Sequence, residues 1–531
     1  MTAHRKARNP IIWADVPDPS VIRVGDVYYM TSTTMHMNPG VPIMKSRDLV
    51  TWEIVNYVYD VLGQDERQQL SNGRNEYGLG SWASSLRYHQ GLYYVAFSSR
   101  TAGKTFIFRT PDLEKGPWTK SVLDFTHDMS LLFDDDGRVF LVHGSGDIKL
   151  LELTQEATAV KPGGLHQVII PEAGAIAGSD LALPAEGAHI HKFDGRYYLF
   201  LITWPRGGMR TQLCYRAERI TGPYEGRVVL QDAGIAQGGL VDTPDGRWYA
   251  LLFGDRGAVG RIPYLVPVTW EDGWPVFGLD GRVPADTGIC VEAELKIVAS
   301  DEFEPKAEQS GACQPSREGR QEDVDKGSKL ALVWQWNHNP DHNNWSLTER
   351  PGYLRLRTGQ LSTDLLAARN TLTQRTFGPV CSAAVAVEVG RMRDGDYAGL
   401  AVLQKHYGLV GVKKAGLAKA IVMIDGTPEK AVEVERVELA RERVYLKIEC
   451  DFREEKDRAY FYYSLDGRAW KPIGYPLKMR YTIPHFMGYR FALFNYATKQ
   501  VGGYVDFDYF RVSVQPTGEG EWRHDSWSAD D

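Results

Sequence analysis

The sequence predicts an all-β protein in which a five-bladed β-propeller is followed by a β-sandwich. Three observations lead to this prediction. A turn-and-strand motif recurs five times in the first 280 residues, alternating apolar runs fill the chain after residue 300, and helical patterning is nearly absent. With 531 residues, the chain is long enough for two independently packed domains.

Each copy of the repeat contains a glycine followed by aromatic residues that lead into an apolar strand. The five glycines, separated by 66, 46, 58 and 51 residues, are Gly25, Gly91, Gly137, Gly195 and Gly246. Glycine supplies the positive-φ corner that a tight hairpin requires. Three copies continue into a second element that ends in an aromatic residue, at Trp52, Trp118 and Tyr224. Short strands and turns with a period of about 50 residues predict propeller blades. A two-sheet sandwich also contains hairpins, but not five registered copies of one motif.

The repeat ends at Thr269–Gly278, and the propeller is predicted to occupy residues 1–297. A polar stretch from Lys306 to Lys329 is expected to be an exposed loop. Beyond it, alternating runs predict a β-sandwich over residues 298–514. These runs are YLRLRT, AAVAVEV, GLAVLQ, AIVMID, VYLKIEC, RAYFYYS and FALFNY. The polar, acid-rich residues 515–531 are predicted to form a flexible tail.

Composition excludes several classes of function. A net charge of −7 with no basic patch disfavours nucleic acid as a partner. Five widely spaced cysteines without a CxxC pair argue against a disulfide framework and a zinc site. No run of 18 apolar residues occurs, so no membrane association is expected. The polar segment Met1–Pro10 has no signal-peptide core, which predicts a cytoplasmic enzyme, or a secreted one if a signal peptide has been trimmed.

Three acidic residues share one position relative to the repeat. They lie 7, 9 and 9 residues before the first, third and fourth glycines, and are Asp18, Asp128 and Glu186. Equivalent positions on three blades converge on the propeller axis, so these acids are predicted to meet in one site. Taken alone, Asp18 would read as a turn residue, held extended by its two flanking prolines. The neighbouring acids of the DDD run at 134–136 are expected to be solvated turn residues.

A string of ordered motifs resembles glycoside hydrolase family 43. They are NPIIWADVPDPSVIRVGDVYYMTSTTMHMNPGVPIMKSRDLVTWEIV, GSWASSLRYHQGLYYV, PAEGAHIHKFDGRYYL, GRIPYLVPVTWEDGWPV and WQWNHNP. The resemblance covers nearly the whole chain. It includes the concanavalin-like sandwich of jelly-roll type that is found in the xylosidase and arabinofuranosidase branches of the family.

The resemblance implies an inverting mechanism with Asp18 as general base, Glu186 as general acid and Asp128 as modulator. Inversion requires a water molecule at the anomeric carbon, and hence carboxyl groups about 6.5–9.5 Å apart. Glu186 then has to hold a proton at rest, and a nearby Asp128 carboxylate would favour this. Asp18 has to stay ionised, so hydrogen-bond donors are expected around it.

The same resemblance implies residues around the acids. Trp82 would stack on the sugar, Arg261 would bind a sugar hydroxyl beside the acids, and Met35, His36 and Asn38 would line the rim. For Trp82, a purely structural role at a blade entrance is the alternative. For Arg261, the alternative is a surface position.

Two features bear on metal ions. Many family members carry a histidine on the fifth blade that often contacts a central ion, where this chain has Gln237. A central metal is therefore in doubt, and Gln237 is assigned to the substrate pocket. In the sandwich, Asp301 and Asp506 resemble paired ligands of a structural calcium ion, and hard oxygen ligands suit calcium. Solvated edge acids are the alternative. No cofactor is expected to be required for the chemistry.

The predicted function is exo-acting hydrolysis of terminal α-L-arabinofuranosyl or β-D-xylosyl groups from hemicellulose oligosaccharides. A sandwich loop is expected to close the pocket, and Phe494–Gly503 is the candidate. Self-association is left open.

One alternative function is that of a fructan-type five-bladed glycosidase, which should carry a WMNDPNG-like element and a Glu-Cys pair on the propeller. The other is a non-catalytic carbohydrate-binding propeller, which has no reason to align acids on three blades.

Overall fold

The structure is a computed structural model that describes residues 5–291, 296–304, 329–427, 429–483 and 485–514. Regular structure in these ranges is almost entirely strand. The helices among the described residues are short 3-10 turns at Ala175–Ala177, Gly257–Val259, His342–Asn344 and Arg453–Glu455. None of them is long and apolar enough to cross a bilayer. The predicted exposed loop, except Lys329, and the predicted tail 515–531 lie outside the described residues.

Five four-stranded antiparallel sheets form the blades of a propeller, so the predicted fold is confirmed. The chain begins with β1 (Arg5–Arg8). The first blade contains four of the next five strands, which are β2 (Ser20–Val24), β3 (Val27–Thr31), β4 (Met37–Asn38), β5 (Gly40–Ser46) and β6 (Glu53–Tyr59). The short strand β4 lies outside this blade.

The other four blades use consecutive strands. The second consists of β7 (Ser81–His89), β8 (Leu92–Ser99), β9 (Lys104–Thr110) and β10 (Thr119–Asp124). The third consists of β11 (Ser130–Phe133), β12 (Val139–His143), β13 (Ile148–Leu153) and β14 (His166–Ile170). The fourth consists of β15 (Leu181–Phe193), β16 (Arg196–Pro205), β17 (Thr211–Ala217) and β18 (Glu225–Leu230). The fifth consists of β19 (Ala236–Asp242), β20 (Trp248–Asp255), β21 (Arg261–Glu271) and β22 (Trp274–Phe277), after which β23 (Asp286–Val291) pairs with β1.

The repeat marks the same turn in every blade. Each repeat glycine has a positive φ, between 61° and 83°, in the hairpin that joins the first and second strands. The first strands contact one another around a ring in the order β2, β7, β11, β15 and β19, and β19 closes on β2. The aromatic residues Trp52, Trp118 and Tyr224 directly precede the outer strands β6, β10 and β18. Residues just before or on the first strands therefore surround the axis.

The second domain is a sandwich of two sheets. Its strands are β24 (Gln335–Asn337), β25 (Trp345–Ser346), β26 (Leu354–Arg357), β27 (Leu372–Arg375), β28 (Val380–Glu388), β29 (Asp396–Leu403), β30 (Tyr407–Ala415), β31 (Ala418–Gly426), β32 (Ala431–Glu438), β33 (Arg443–Asp451), β34 (Arg458–Ser464), β35 (Lys471–Pro472), β36 (Leu477–Lys478), β37 (Arg490–Ala497) and β38 (Tyr504–Ser513). One sheet runs β32-β31-β30-β29-β37-β27-β24-β4, and the other runs β25-β26-β38-β28-β33-β34-β35, with β36 beside β34. All the alternating runs found in the sequence are strands here.

The two domains share a sheet and a core. The propeller segment β4 pairs antiparallel with β24 and becomes the edge strand of a sandwich sheet. One continuous cluster of buried residues includes Val16 and Val259 of the propeller together with Phe377 and Tyr489 of the sandwich. At Gly488 a Cβ atom would lie only 2.2 Å from the carbonyl oxygen of Val259, so this approach requires glycine. The segment before Gly488 is thereby pressed onto the fifth blade.

Candidate active site

The three predicted acids are carried by the inner ring of strands. Asp18 stands two residues before β2, Asp128 stands two residues before β11, and Glu186 lies on β15. The charges of Asp18 and Glu186 both act on the pKa of Asp128. The repeat register therefore brings the acids of blades one, three and four into one electrostatic site.

Asp18 is buried and held by two donors. Its two oxygens accept from Nη1 of Arg261 at 2.9 and 3.0 Å, and Oδ2 also accepts from the Thr33 hydroxyl at 2.6 Å. The donors expected around a base that stays ionised are present. The backbone differs from the expectation, because Asp18 has φ of 51° and is in the left-handed region rather than extended. The flanking prolines restrict their own φ angles, and the hydrogen bonds from Thr33 and Arg261 hold the Asp18 side chain in this conformation.

Arg261 is a buried partner of Asp18 rather than a surface residue. Its side chain is 3% exposed, and its guanidinium lies 4.6 Å from the ring centre of Phe486. Its main-chain nitrogen donates to Asp15 at 2.8 Å. Burial alone would lower the pKa of Arg261, but the charge of Asp18, together with smaller contributions from Tyr481 and Asp15, outweighs burial and raises it. Asp18 and Arg261 therefore form a buried ion pair.

Glu186 is held by His127, a residue that the sequence analysis missed. Nε2 of His127 lies 3.0 Å from Oε2 of Glu186, which is hydrogen-bond distance. The register of β15 and β16 shifts on both sides of Glu186, which turns its side chain out of the regular ladder. Burial would lower the pKa of His127, but the hydrogen bond to Glu186 and the charge of Asp128 outweigh burial and raise it.

Asp128 lies beside His127 and Glu186 and acts on them through its charge. Its side chain is 7% exposed, and Oδ2 lies 3.9 Å from Nε2 of His127. Burial raises the pKa of Asp128 to about 7, with further upward contributions from the charges of Glu186 and Asp18. Because Asp128 is partly protonated near neutral pH, the group can keep a proton available beside Glu186.

This shift predicts a pH dependence of stability. Native Asp128, with a pKa of about 7, holds a proton between about pH 4 and pH 7 that the unfolded chain has already lost. Stability therefore falls as pH rises through this window. The raised pKa of His127 acts in the same direction, since its contribution is lost as pH rises through the native value. The free energy of unfolding of Asp128→Asn, relative to wild type, should rise by about 1–3 kcal/mol between pH 5 and pH 8.

Thermal unfolding at pH 5, 6, 7 and 8 measures this difference. Asp26→Asn, which changes an exposed acid in a hairpin turn, is the matched control and should track wild type at every pH. If the free energies of unfolding of Asp128→Asn and wild type change in parallel with pH, the raised pKa of Asp128 is contradicted.

The wall of the site combines both domains. Trp82 and Phe486 lie nearly parallel, with ring centres 6.0 Å apart, and Trp82 meets His127 edge-on at 5.7 Å. Nη2 of Arg261 lies 3.4 Å from the carbonyl oxygen of Phe486. The sandwich thus contributes to the site, as expected, but through a different loop. The predicted segment Phe494–Gly503 instead begins within the buried strand β37 and continues beside Thr358 and Gly395 of the sandwich.

Removing the Phe486 ring should weaken substrate binding. An aromatic contact contributes about 1–1.5 kcal/mol, so Phe486→Ala is expected to lower kcat/KM about tenfold, mainly through KM. Steady-state kinetics on xylobiose measure the effect. Tyr475→Ala, on a sandwich residue that hydrogen bonds within its own domain, is the control and should keep the wild-type values. Equal kinetics for the two variants would contradict the role of Phe486.

Trp82 stands at the site, but one face of its indole ring is covered by protein. The guanidinium of Arg100 lies over the ring at 4.4 Å from its centre. Nε1 of Trp82 donates to the carbonyl oxygen of Gly78 at 3.2 Å. Any sugar contact therefore uses the part of Trp82 that Arg100 and Phe486 leave free.

The segment predicted to line the rim lies mostly in the domain interface. His36 is fully buried among the rings of Tyr77, His338 and His485. Asn38 belongs to β4 and donates to Asn339 of the sandwich at 3.1 Å. Here the backbone leaves the first blade to join the sandwich sheet. A role of these two residues at the rim stays a prediction.

Met35 and Gln237 remain beside the acids. Met35, at φ of 51°, clusters with Met37, Met487, Trp82 and Phe486. A Cβ atom on Gly187, the neighbour of Glu186, would lie 2.8 Å from the Gln237 side chain. Gln237 therefore packs directly against the strand that carries the predicted acid.

The side chains predicted to hold calcium have other partners. Oδ1 of Asp506 accepts from Arg355 at 2.7 Å, and Oδ2 accepts from Arg350 at 3.1 Å and from Arg355 at 2.9 Å. The carboxylate of Asp301 accepts from Trp334 and from the main chain of Phe303, both at 2.9 Å. Calcium needs six to eight oxygen ligands, and the two guanidiniums repel a cation. These residues do not fit a calcium ion.

Comparison with known sequences identifies the family. The profile of glycosyl hydrolases family 43 matches residues 7–275, and that of the beta xylosidase C-terminal concanavalin A-like domain matches residues 323–513. The chain belongs to glycoside hydrolase family 43. Its all-β propeller and concanavalin-like sandwich are those of this family, and it is a glycoside hydrolase.

Relatives within family 43 align along most of their length. A beta-xylosidase of Formosa agariphila is 29% identical over 94% of this chain and 89% of its own. A non-reducing end alpha-L-arabinofuranosidase of Bacteroides ovatus is 30% identical over 79% of this chain and 78% of its own. A solved structure described as a bifunctional GH43-CE of Bacteroides eggerthii is 55% identical, with a TM-score of 0.91 over 97% of this chain. The chain spans 64% of the length of that longer protein.

Three residues of this family 43 site were not found from the sequence. Two of them stand at a similar place in their blades, just after the second strand. Thr33 follows the second strand of its blade by two residues and Arg100 follows its own by one, and both reach the site. The second strand of a blade returns to the end where the first began, so the residues after it stand at the mouth. The third, His127, was signalled only by its place next to Asp128.

Proposed function

We propose that the protein is an exo-acting, inverting glycosidase that releases terminal α-L-arabinofuranosyl or β-D-xylosyl groups from hemicellulose oligosaccharides. The observation that carries the proposal is the contrast between the partners of the two carboxyl groups. Buried Asp18 is bound by a guanidinium and a hydroxyl donor, whereas the less buried Glu186 lies within hydrogen-bond distance of the His127 ring. One group is therefore suited to accept a proton and the other to donate one.

In the proposed reaction, a water molecule attacks the anomeric carbon while Asp18 takes its proton. The bond from that carbon to the glycosidic oxygen breaks, and Glu186 gives its proton to the departing oxygen. The released sugar has the opposite anomeric configuration. Asp18 is then protonated and Glu186 ionised, and exchange with solvent resets both. His127 and Asp128 lie beside Glu186 and assist its reprotonation.

The wall formed by Trp82 and Phe486 supports exo action. Phe486 and Met487 come from the sandwich and pack against Trp82 and Met35 of the propeller. A pocket that is closed on this side accepts a single terminal sugar better than a sugar unit in the middle of a polysaccharide. The names of the xylosidase and arabinofuranosidase relatives support the two sugars, whose hydroxyl groups are similarly arranged.

Product analysis tests this proposal. The protein is incubated with 4-nitrophenyl α-L-arabinofuranoside, 4-nitrophenyl β-D-xyloside and xylo-oligosaccharides with and without arabinose branches, and the first anomer released is followed by NMR. Release of single sugars with inverted configuration is expected. Retained configuration would contradict the roles of Asp18 and Glu186. If the sugars bind but none is cleaved, the protein is a carbohydrate-binding propeller.

A further inference from the structure

Two buried arginines face each other where the sandwich meets the propeller. Arg375 ends β27 and Arg490 begins β37, and they are directly opposite in the antiparallel register. Each is only 1% exposed. Opposite residues of such a pair place their Cβ atoms about 4.5–5.5 Å apart on the same face, and like charges there are destabilising. A compensating group is therefore required.

Among the described residues, the acceptors that hydrogen bond to these guanidiniums are neutral. Nε of Arg375 donates to the carbonyl oxygen of Asp15 at 2.8 Å. Arg490 donates to the Thr373 hydroxyl at 2.8 Å and to the Gln335 amide oxygen at 3.0 Å. The Nη1 atoms of both arginines are buried and have no hydrogen-bond partner among the described residues. Two buried charged donors, on residues paired across β27 and β37, are thus left unused.

Nearby acids do not balance the charge. Asp18 is already paired with Arg261, which leaves Asp15 as the acid that acts on both arginines. Burial raises the pKa of Asp15, which weakens the negative charge available. Burial and the charge of Arg375 lower the pKa of Arg490 to about 9. A guanidinium nevertheless keeps its proton in proteins, so the cluster has an excess of positive charge.

We propose that a small monovalent inorganic anion, with chloride as the probe, binds between the Nη1 atoms of Arg375 and Arg490. One such ion offsets positive charge that Asp15 leaves uncompensated, and it accepts from both unused donors. Tyr57 lies beside the pair, and its hydroxyl already donates to Leu332 at 2.7 Å. Gln335 and Thr373 are fully buried, so the surroundings suit a small ion rather than a large oxyanion.

The ion would act on the docking of the two domains. Arg375 belongs to the sandwich, yet it binds the main chain of Asp15, three residues before Asp18. Fixing its guanidinium holds the propeller segment that leads to Asp18. The anion site is separate from the hydrolytic chemistry, so the proposal is tested through the stability of the protein. If the proposed glycosidase function failed its own test, the anion proposal would be unaffected.

Thermal unfolding of the full chain provides the first test. Chloride replaces gluconate at constant ionic strength, so general screening is unchanged. The wild-type midpoint should rise with the logarithm of the chloride concentration above the dissociation constant, by about 2–4 °C when chloride reaches 100 times that constant. Arg490→Met should lose this rise. Arg282→Met, on an arginine whose side chain is 82% exposed, should keep it. A wild-type response no larger than that of Arg490→Met overturns the proposal.

Anomalous diffraction from bromide-soaked wild-type crystals provides a second test that does not depend on the variants folding. Bromide has the charge of chloride and a similar radius, and it should give an anomalous peak between residues 375 and 490. Peaks only elsewhere would overturn the proposal. A rise of the midpoint with phosphate or sulfate, but not with chloride, would also overturn it, because the site would then select a polyvalent oxyanion.

Discussion

Replacing Glu186 with glutamine is expected to lower kcat/KM on xylobiose by about 1,000-fold. Glutamine keeps the size of the side chain and can still hydrogen bond to His127, but it has no acidic proton for the departing oxygen. General acid catalysis contributes about 100- to 10,000-fold, so the loss should fall in the middle of that range. Initial-rate kinetics at the wild-type pH optimum measure it.

The leaving group separates this role from a general loss of structure. A 4-nitrophenolate group departs without being protonated, so Glu186→Gln should retain far more of its rate on 4-nitrophenyl β-D-xyloside than on xylobiose. Glu218→Gln, at an exposed position on the same blade, should behave as wild type on both substrates. Equal losses on the two substrates would show that Glu186 is not the proton donor.

Replacing Asp18 with asparagine should lower activity equally on both substrates, unlike the replacement of Glu186. The amide cannot take a proton from water, so kcat is expected to fall about 1,000-fold or more on both substrates alike. Stability should fall as well, because Arg261 would remain buried without its counter-charge. Breaking a buried ion pair from one side costs about 3–5 kcal/mol. Kinetics on both substrates and thermal unfolding measure the two effects.

A double substitution separates the chemistry of Asp18 from its structural part. Asp18→Asn combined with Arg261→Met removes the whole buried pair, and this should restore part of the lost stability. It should not restore activity. A double variant that recovers both would assign Asp18 to structure alone, and Asp18→Asn with an unchanged rate would also contradict its role as base.

The propeller and its acids could be predicted because they depend on local sequence. A glycine with positive φ fixes each hairpin, and the position of an acid relative to that glycine fixes where it stands on the ring. Asp18, Asp128 and Glu186 all follow this rule. Thr33, which donates to Asp18, and Arg100, which lies over Trp82, follow a similar rule that is counted from the end of the second strand.

The interface could not be predicted because it depends on contacts between distant segments. Asn38 and Asn339, which hydrogen bond to each other, are 301 residues apart. A short stretch such as Met37–Asn38 has no periodicity that would indicate which sheet it joins. The loop that carries Phe486 has no strand pattern of its own, and its position follows from the close approach of Gly488 to Val259.

The strand β4 has a consequence for the ancestry of this two-domain chain. It is encoded within the first blade, yet it completes a sheet of the sandwich by pairing with β24. A chimera with its crossover near residue 297 would give that sandwich a foreign edge strand, and a sandwich expressed alone would present the bare edge of β24 to other molecules. Recombination at this boundary should therefore yield folded offspring only when both parents carry compatible β4 segments. The two domains are then inherited together, although each looks like a separate module.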